Sequence, residues 1–349
     1  MNPLVTIIIP TFNRAKYISK SIESAISQTY SNIEIIVADD ASTDNTAAII
    51  APFLDETRLQ YFCHPKNVGM AKNWRVCLFE RAKGDWFLIL GDDDYLIDPY
   101  FIENAINATF NDTEIKMVCA PGLILYERYG RFAVQTLPYP CIADGKEIFK
   151  KRGSAAKPYE FIFAGVLFHA QTAKALNAFS NPKDIFGDGE LFFKIALSHK
   201  VGVLSTPVCV YRIHDTSTLT GQLNLDRLQA GFNTCFELWN LMIAHQEFSK
   251  SECDVWKKRV LIRYCRGFLV AASLGGEPNL TFANAKRFIF APGKISNWEV
   301  FGSASFLARL FFSRFRWAYK IVYAHWRETQ ILRSTKSIHE CHYFVDIKA

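Results

Sequence analysis

"VTIIIPTFNRAKYISKSIESAISQTYSNIEIIVADDASTDNT", residues 5–46, contains the pattern that decides the fold. A β-branched run over 4–9 is stopped by Pro10, which predicts a short buried strand. Apolar residues then recur at a helical period over 14–28, and a second buried strand is predicted over 33–40. A strand, a helix and a second strand in this order indicate parallel strands joined by a crossover helix.

The same alternation continues to about residue 100. Helices are predicted over 42–54 and 69–84, and strands over 59–64 and 85–90. We therefore expect an α/β fold with a doubly wound, mostly parallel sheet. Ligands of such sheets bind beyond the carboxyl ends of the strands.

Two acidic turns lie at such strand ends. Asp92 to Asp94 follow the strand predicted over 85–90, and Asp39 and Asp40 end the strand predicted over 33–40. Adjacent carboxylates repel one another, and removing them from water is costly unless positive charge compensates. We expect both turns to line one crevice.

Beyond about residue 100, the alternation of strands and helices and the balance of charged residues both change. Strands are expected at 115–127 and 201–214 and a helix at 187–200, whereas the chain is helical from about 225 onward. Residues 221–349 carry 18 Lys and Arg against 10 Asp and Glu, while residues 1–220 carry 22 against 24. This asymmetry predicts a domain over 1–222 and a separate helical region over 223–349.

Composition restricts the class of protein. Half of the 349 residues are hydrophobic and 21% are charged, as in folded globular proteins. Nine scattered cysteines without a C-x-x-C pair argue against a disulfide framework or a cysteine zinc site. The sequence shows no signal-peptide pattern and no apolar run of about 18 residues, the length of a membrane span. These features predict a cytoplasmic protein.

Five segments in a defined order resemble the inverting glycosyltransferases of family 2, of the bacterial surface-polysaccharide type. They are residues 5–46, "NVGMAKNWRVCL" (67–78), "GDWFLILGDDDYLIDP" (84–99), "GDGELFFKI" (187–195) and "YRIHDTST" (211–218). The resemblance covers roughly residues 4–220 and implies the GT-A fold. It also implies a nucleotide-sugar half over about 1–100 and an acceptor half over about 101–222.

The resemblance gives the acidic triplet a function. When a hydroxyl displaces the diphosphate of a nucleotide sugar, a divalent cation stabilises the charge that develops on the leaving group. Mn²⁺ or Mg²⁺ accept carboxylate oxygens, commonly one or two from the protein. The resemblance implies that Asp94 and His214 bind the metal, while Asp92 or Asp93 holds the ribose or the donor sugar. The alternative is an acidic turn that caps a helix.

The family also implies a set of nucleotide contacts, which are Pro10, Thr11, Asn13, Asp40, Lys72 and Arg212. Asp40 matches the family aspartate that accepts from the base N3–H, which uridine and thymidine can donate. Thr11 and Asn13 have an alternative role as turn formers. Lys72 has an alternative place on an exposed helical face, and Arg212 is a candidate to neutralise the diphosphate.

Inversion needs a base on the acceptor side of the sugar. The family carries it as an aspartate that opens a helix, often preceded by glutamate. Here Gly187 stands in place of that glutamate and Asp188 remains, so the resemblance implies Asp188 as the catalytic base. Glu190 is the competitor, and either carboxylate has an alternative role as an ordinary charge at a helix N-terminus.

The segment 309–327 has the pattern of a basic, aromatic helix. Four of its cations form one stripe: Arg309, Arg316, Lys320 and Arg327. Such a helix fits the surface of an anionic membrane, where a lipid-linked acceptor would lie. The alternative is a helix packed on the catalytic domain.

We therefore predict transfer from a UDP- or dTDP-sugar to a glycan or lipid-linked acceptor, with peripheral contact to the inner face of the cytoplasmic membrane. A nucleotidyltransferase is the first rival, but it would carry a glycine-rich loop after the first strand, and "PTFNRAKY" has no glycine. A nucleic-acid-binding protein is the second rival. No motif of that class occurs, so we expect no nucleic-acid partner.

Overall fold

The computed structural model describes residues 2–152, 161–181, 187–215, 225–245, 247–273, 328–332 and 334–337. The chain divides into two compact units, one of Met1–Ile213 with Lys336–Ala349 and the other of His214–Thr335. The boundary predicted near residue 222 falls within 216–224, outside the described residues, and stays a prediction.

The first unit contains all the described strands. They are β1 (Val5–Thr11), β2 (Ile33–Asp39), β3 (Leu59–Cys63), β4 (Trp86–Ile89), β5 (Tyr95–Leu96), β6 (Ile115–Cys119), β7 (Gly122–Tyr126), β8 (Arg131–Val134), β9 (Ile142–Asp144), β10 (Val166–His169), β11 (Lys200–Val203), β12 (Cys209–Ile213) and β13 (Lys336–Ser337).

Helices connect these strands. In the first unit they are α1 (Ile18–Ile26), α2 (Thr46–Ile50), α3 (Met70–Val76), α4 (Phe101–Asn107), α5 (Gly145–Arg152), α6 (Ala170–Ala175) and α7 (Gly187–Ala196). A π-helical turn, Cys77–Arg81, continues α3, and short 3₁₀ turns lie at Ala51–Phe53, Glu127–Tyr129 and Phe163–Gly165. In the second unit they are α8 (Leu225–Ala244) and α9 (Lys250–Ser273).

The main sheet has eight strands in the order β3-β2-β1-β4-β10-β6-β11-β9. β1 pairs in parallel with both β2 and β4, and β11 pairs in parallel with β6. β10 is antiparallel to its neighbours β4 and β6, and β9 is antiparallel to β11. Six of the eight strands therefore run in one direction, which confirms the predicted mostly parallel sheet.

Burial explains why the first strands were recognisable. All seven residues of β2 are buried, and so are six of the seven in β1, as expected for parallel strands covered on both faces. α1 buries Ile18, Ile22 and Ala25, which lie four and three residues apart on one face. Each of the two isoleucine side chains contributes roughly 1.5–3 kcal/mol when fully buried.

A smaller five-stranded sheet, in the order β13-β8-β7-β12-β5, was not predicted. The segment 115–127 holds two strands, and they lie in different sheets: β6 in the main sheet and β7 in the small one. β12 pairs in parallel with β7 and antiparallel with β5, so Cys209 and Val210 lie opposite Leu96 and Tyr95. This pairing brings β12 next to the residues that precede β5.

The second unit is helical where it is described, and α8 and α9 pack against each other. Among the described residues, no helix is both long and apolar enough to span a membrane. The basic stripe predicted over 309–327 lies outside the described residues.

Candidate active site

The three aspartates form a tight turn between β4 and β5. The Asp94 amide donates to the Gly91 carbonyl at 3.1 Å, which closes the turn. A Cβ atom at Gly91 would lie 3.0 Å from Asp94 Oδ2 and 3.2 Å from Asp93 Oδ1, so two carboxylates fold back over this glycine. Asp94 is 7% exposed, and the side chains of Asp92 and Asp93 are 13% and 18% exposed.

Burial and mutual repulsion disfavour the ionised carboxylates of this turn. Burial, followed by the charge of Asp93, raises the pKa of Asp92 to about 7, while the Thr11 hydroxyl, Arg14 and the Phe12 amide act in the opposite direction. Burial and the charge of Asp93 also raise the pKa of Asp94 well above its ordinary value. The turn would therefore be stabilised by additional positive charge.

The loop after β1 faces this turn. The Phe12 amide donates to Asp92 Oδ2 at 3.3 Å, and Arg14 Nε lies 3.6 Å from Asp92 Oδ1 and 4.0 Å from Asp93 Oδ2. The loop after β1 therefore places a positively charged side chain, that of Arg14, beside the acidic turn.

Asn13 fixes the shape of that loop. Its backbone is in the left-handed region, with φ 54°. Its side-chain oxygen accepts from the amides of Thr43 and Asp44 at 2.8 and 3.3 Å, and its own amide donates to Ser42 Oγ at 2.8 Å. The loop after β1 is thus tied to the loop after β2, and the predicted turn-forming role of Asn13 agrees with this geometry.

A second acidic cluster, Asp39 and Asp40, lies at the carboxyl end of the neighbouring strand β2. Both Asp39 and Asp40 are buried, and the Asp40 amide donates to the Thr11 carbonyl at 2.8 Å. The carboxylate of Asp40 accepts from the amides of Val68 and Gly69 at 2.7 and 2.9 Å, so it holds the loop that precedes α3. Asp39 accepts from the Ser42 amide and the Tyr61 hydroxyl.

The remaining predicted nucleotide contacts lie around this edge. Pro10 and Thr11 are the last two residues of β1, and Thr11 is buried. Lys72 is exposed on α3, the helix that follows the loop held by Asp40. The edge therefore gathers the predicted base and ribose residues next to the acidic turn, although their contacts with a nucleotide stay predictions.

Arg212, on β12, is held by groups of the protein itself. Its amide donates to Asp94 Oδ1 at 2.8 Å and its Nε donates to the Asp93 carbonyl at 2.9 Å. Its Nη1 donates to Glu127 Oε1 at 3.1 Å. The predicted contact of this guanidinium with a diphosphate stays a prediction.

The predicted base and the second metal ligand are described only in part. Asp188 is the second residue of α7, and its side chain lies outside the described part of the structure. Glu190 is 3% exposed and ion-paired with Lys194 one turn later, which is 4% exposed. His214 directly follows β12, is 5% exposed, and is the first residue of the second unit.

The acidic turn has the donor chemistry of a hard-cation site. Within the described ranges, no three His, Cys, Asp or Glu side chains are grouped so as to hold a metal ion. A cation that is also bound by a diphosphate needs only one or two protein carboxylates. The turn supplies three neighbouring carboxyl groups whose ionised form a cation would stabilise, so it fits Mn²⁺ or Mg²⁺ with a diphosphate.

Comparison with known proteins identifies the family. Residues 6–152 match the family model described as Glycosyl transferase family 2. An uncharacterised glycosyltransferase of Rickettsia typhi is 30% identical over 231 residues, which cover 64% of this chain and 68% of that protein. The chain belongs to glycosyltransferase family 2.

Two further likenesses of this family 2 glycosyltransferase bear on its fold and relatives. The UDP-Glc:alpha-D-GlcNAc-diphosphoundecaprenol beta-1,3-glucosyltransferase WfaP of Escherichia coli is 41% identical over 112 residues, which are 32% of this chain and 42% of WfaP. The crystal structure of S. aureus TarS 1–349 in complex with UDP-GlcNAc superposes with a TM-score of 0.59 at 16% identity, and the superposition covers 93% of this chain and 92% of the TarS 1–349 chain. The predicted GT-A fold is confirmed.

Sequence reasoning missed two charged residues of the site in this family 2 glycosyltransferase. Arg14 directly follows Asn13 in the motif, and a cation beside an acidic turn could have been inferred from that position. Glu127 lies in a 3₁₀ turn after β7, within a segment that carried no recognisable motif, and nothing in the sequence pointed to it.

Proposed function

We propose that this chain transfers a sugar from a nucleotide diphosphate sugar, preferably a UDP- or dTDP-sugar, to a hydroxyl of a glycan or lipid-linked acceptor, with inversion, in cell-surface polysaccharide synthesis. The observation that carries the proposal is the turn of Asp92 to Asp94 at the carboxyl edge of a GT-A sheet, in which Asp94 is buried and the other two side chains are only partly exposed. A cluster of carboxylates beside the loop after β1 suits a cation and its diphosphate.

The relatives support the donor and acceptor classes. The name of WfaP states a UDP-glucose donor and an acceptor on diphosphoundecaprenol, and the TarS complex contains UDP-GlcNAc. This chain matches only 42% of WfaP, so the sugar and the acceptor of this chain belong to the proposal.

In this proposal Mn²⁺ or Mg²⁺ is held by Asp94 with His214, and Asp92 or Asp93 holds the ribose or the donor sugar. The cation, when bound, neutralises charge on the leaving diphosphate. Arg14 supplies further positive charge from the loop after β1, since its guanidinium already lies at ion-pair distance from the turn.

Asp40, with Pro10 and Thr11, forms the base pocket in this proposal. The Asp40 carboxylate is oriented by two backbone amides. A carboxylate has about four lone-pair sites, so it can still accept from the N3–H of uracil or thymine. Asn13 supports the pocket through its loop contacts, Lys72 is the proposed cation beside the nucleotide, and the resemblance offers Arg212 as a second candidate.

Asp188 is the proposed general base. It would take the proton of the acceptor hydroxyl as that oxygen attacks the anomeric carbon from the side opposite the diphosphate. Glu190 is a weaker candidate, because its buried ion pair with Lys194 would have to be broken before it could accept a proton.

The proposal also includes contact with the inner face of the cytoplasmic membrane, made by the basic stripe of 309–327. Each cation near an anionic leaflet contributes about 1 kcal/mol. Docking at the membrane would bring the catalytic unit close to a lipid-linked acceptor.

A donor panel tests the proposed function. The purified protein is incubated with UDP-, dTDP- and GDP-sugars in Mn²⁺, Mg²⁺ or EDTA, together with lipid-diphosphate sugar acceptors, and released nucleotide and glycosylated product are measured. We expect product from a uridine or thymidine donor only when a divalent cation is present. Formation of a nucleotide sugar and pyrophosphate from UTP and a sugar phosphate would instead favour a nucleotidyltransferase.

A further inference from the structure

We propose that Glu127 and Arg212 form a positioning pair that holds the acidic turn in its binding geometry, and that neither side chain contacts the donor. The inference rests on the proposed function, because it assigns what orients the carboxylates of that site. It replaces direct neutralisation of the diphosphate as the role of Arg212.

The turn is held from both sides through its backbone. The Ser21 hydroxyl of α1 donates to the Gly91 carbonyl at 3.0 Å, and Arg212 Nε donates to the Asp93 carbonyl at 2.9 Å. The Arg212 amide additionally fixes Asp94 Oδ1 at 2.8 Å. The direction in which the Asp93 and Asp94 carboxylates point therefore depends on where β12 holds Arg212.

Glu127 determines where the Arg212 side chain lies. Its Oε1 accepts from Arg212 Nη1 at 3.1 Å, and its Oε2 accepts from the Tyr17 hydroxyl at 2.9 Å. Lys16 Nζ lies 3.6 Å from the same carboxylate. Burial would raise the pKa of Glu127, but Tyr17, Arg212 and Lys16 outweigh that effect and lower it, so this carboxylate stays ionised.

The Arg212 guanidinium is enclosed as well as bonded. Its centre lies 4.9 Å from the ring centroid of Tyr17 and 5.6 Å from that of Tyr95, and the side chain is 13% exposed. To reach a phosphate, the group would have to leave a charged partner, a backbone carbonyl and two aromatic rings. Residues that orient ligating carboxylates in this manner typically change metal affinity or activity about 10- to 100-fold when altered.

The two roles predict opposite signs for Glu127→Gln. Removing a negative charge beside an anion site should tighten diphosphate binding if Arg212 binds the phosphate, because the guanidinium is then less neutralised. If the pair positions the turn, the same change should weaken UDP binding in Mn²⁺ about 10-fold, because Arg212 then faces only a neutral acceptor in place of its charged partner. The sign of the change therefore separates the two interpretations.

The experiment measures UDP affinity by calorimetry over a series of Mn²⁺ concentrations, with thermal unfolding recorded for each variant. Asp112→Asn is the matched control, because it breaks another ion pair between separate elements, Lys200–Asp112 at 2.8 Å. Tyr17→Phe is the second test variant. It keeps the ring over Arg212 but removes the hydroxyl that holds Glu127, and it remains informative if Glu127→Gln folds poorly.

Positioning predicts weaker UDP binding for Glu127→Gln and a smaller loss for Tyr17→Phe, with both partly restored by excess Mn²⁺. The control should bind UDP like the wild type. Unchanged or tighter binding in the folded variants would overturn the positioning pair while leaving the proposed function intact. A wild type that binds no nucleotide diphosphate would overturn both.

Discussion

Replacement of Asp92 by asparagine should stabilise the metal-free protein, and the gain should depend on pH. The Asp92 side chain is 13% exposed and lies beside Asp93, so its negative charge opposes folding. Asparagine has nearly the same shape and retains an oxygen that can accept from the Phe12 amide, at 3.3 Å in the wild type.

The size of the effect follows from the pKa. The pKa of Asp92 rises from 3.8 to about 7 because of burial and then the charge of Asp93. A carboxyl group whose pKa is higher in the folded protein than in the unfolded chain stabilises the fold at pH values below its unfolded pKa. This contribution is lost as the pH rises through the folded pKa. One pKa unit corresponds to about 1.4 kcal/mol, so ionisation costs up to about 4 kcal/mol at pH 8. The attraction of Arg14 already lowers this pKa from what burial and Asp93 alone would give, so the expected gain for the variant at pH 8 stays at up to about 4 kcal/mol.

The assay is guanidinium unfolding of wild type and Asp92→Asn in EDTA, at pH 8 and at about pH 4. We expect the variant to be more stable at pH 8 and the two proteins to be nearly equal at pH 4. Asp112→Asn is the control, since the Lys200 hydrogen bond lowers the pKa of that carboxyl group, so the variant should lose rather than gain stability at pH 8. A variant that is less stable than wild type at pH 8, or a gain that does not change with pH, would refute the reasoning.

Three further predictions concern the reaction and the membrane. Asp188→Asn should reduce transfer by about 10²- to 10⁴-fold while UDP affinity in calorimetry stays unchanged; near-normal turnover would move the base elsewhere, with Glu190 first. NMR of the product should show inversion of the donor's anomeric configuration, because a single displacement needs one base and no covalent nucleophile, and retention would contradict that mechanism. Changing the four cations of the 309–327 stripe to glutamine should reduce co-sedimentation with anionic vesicles at low salt, whereas equal sedimentation of both proteins would leave that segment without a membrane role.

The strands β1, β2 and β4 were predictable because almost all of their residues are buried and turn residues bound them. The helices that connect the first strands are nevertheless shorter than the periodicity indicated. α1 begins at Ile18 rather than at residue 14, because Asn13 adopts a left-handed conformation and bonds to the next loop. α2 begins at Thr46 rather than at residue 42, because the amides of Ser42 and Thr43 bond to Asp39 and Asn13.

The small sheet could not be predicted from local pattern. β5 has two residues, and its partner β12 lies more than a hundred positions along the chain. Pairing of such short, distant segments is decided by tertiary packing rather than by the alternation of apolar residues.

The candidate site likewise has one part that the sequence predicts and one part that only the structure shows. The three adjacent aspartates can be recognised in the sequence itself, and their position after a predicted strand indicated a site at the sheet edge. The contact between Glu127 and Arg212 joins residues 85 positions apart and becomes visible only in the structure.

Calorimetric titration of UDP into wild type and Asp94→Asn, each in Mn²⁺ and in EDTA, tests the central claim most directly. We expect wild type to bind UDP only in Mn²⁺, and the variant to bind UDP at least about 10-fold more weakly. Equal UDP affinity in EDTA and Mn²⁺, or an unchanged affinity in Asp94→Asn, would contradict the role of the acidic turn in holding a cation and its diphosphate.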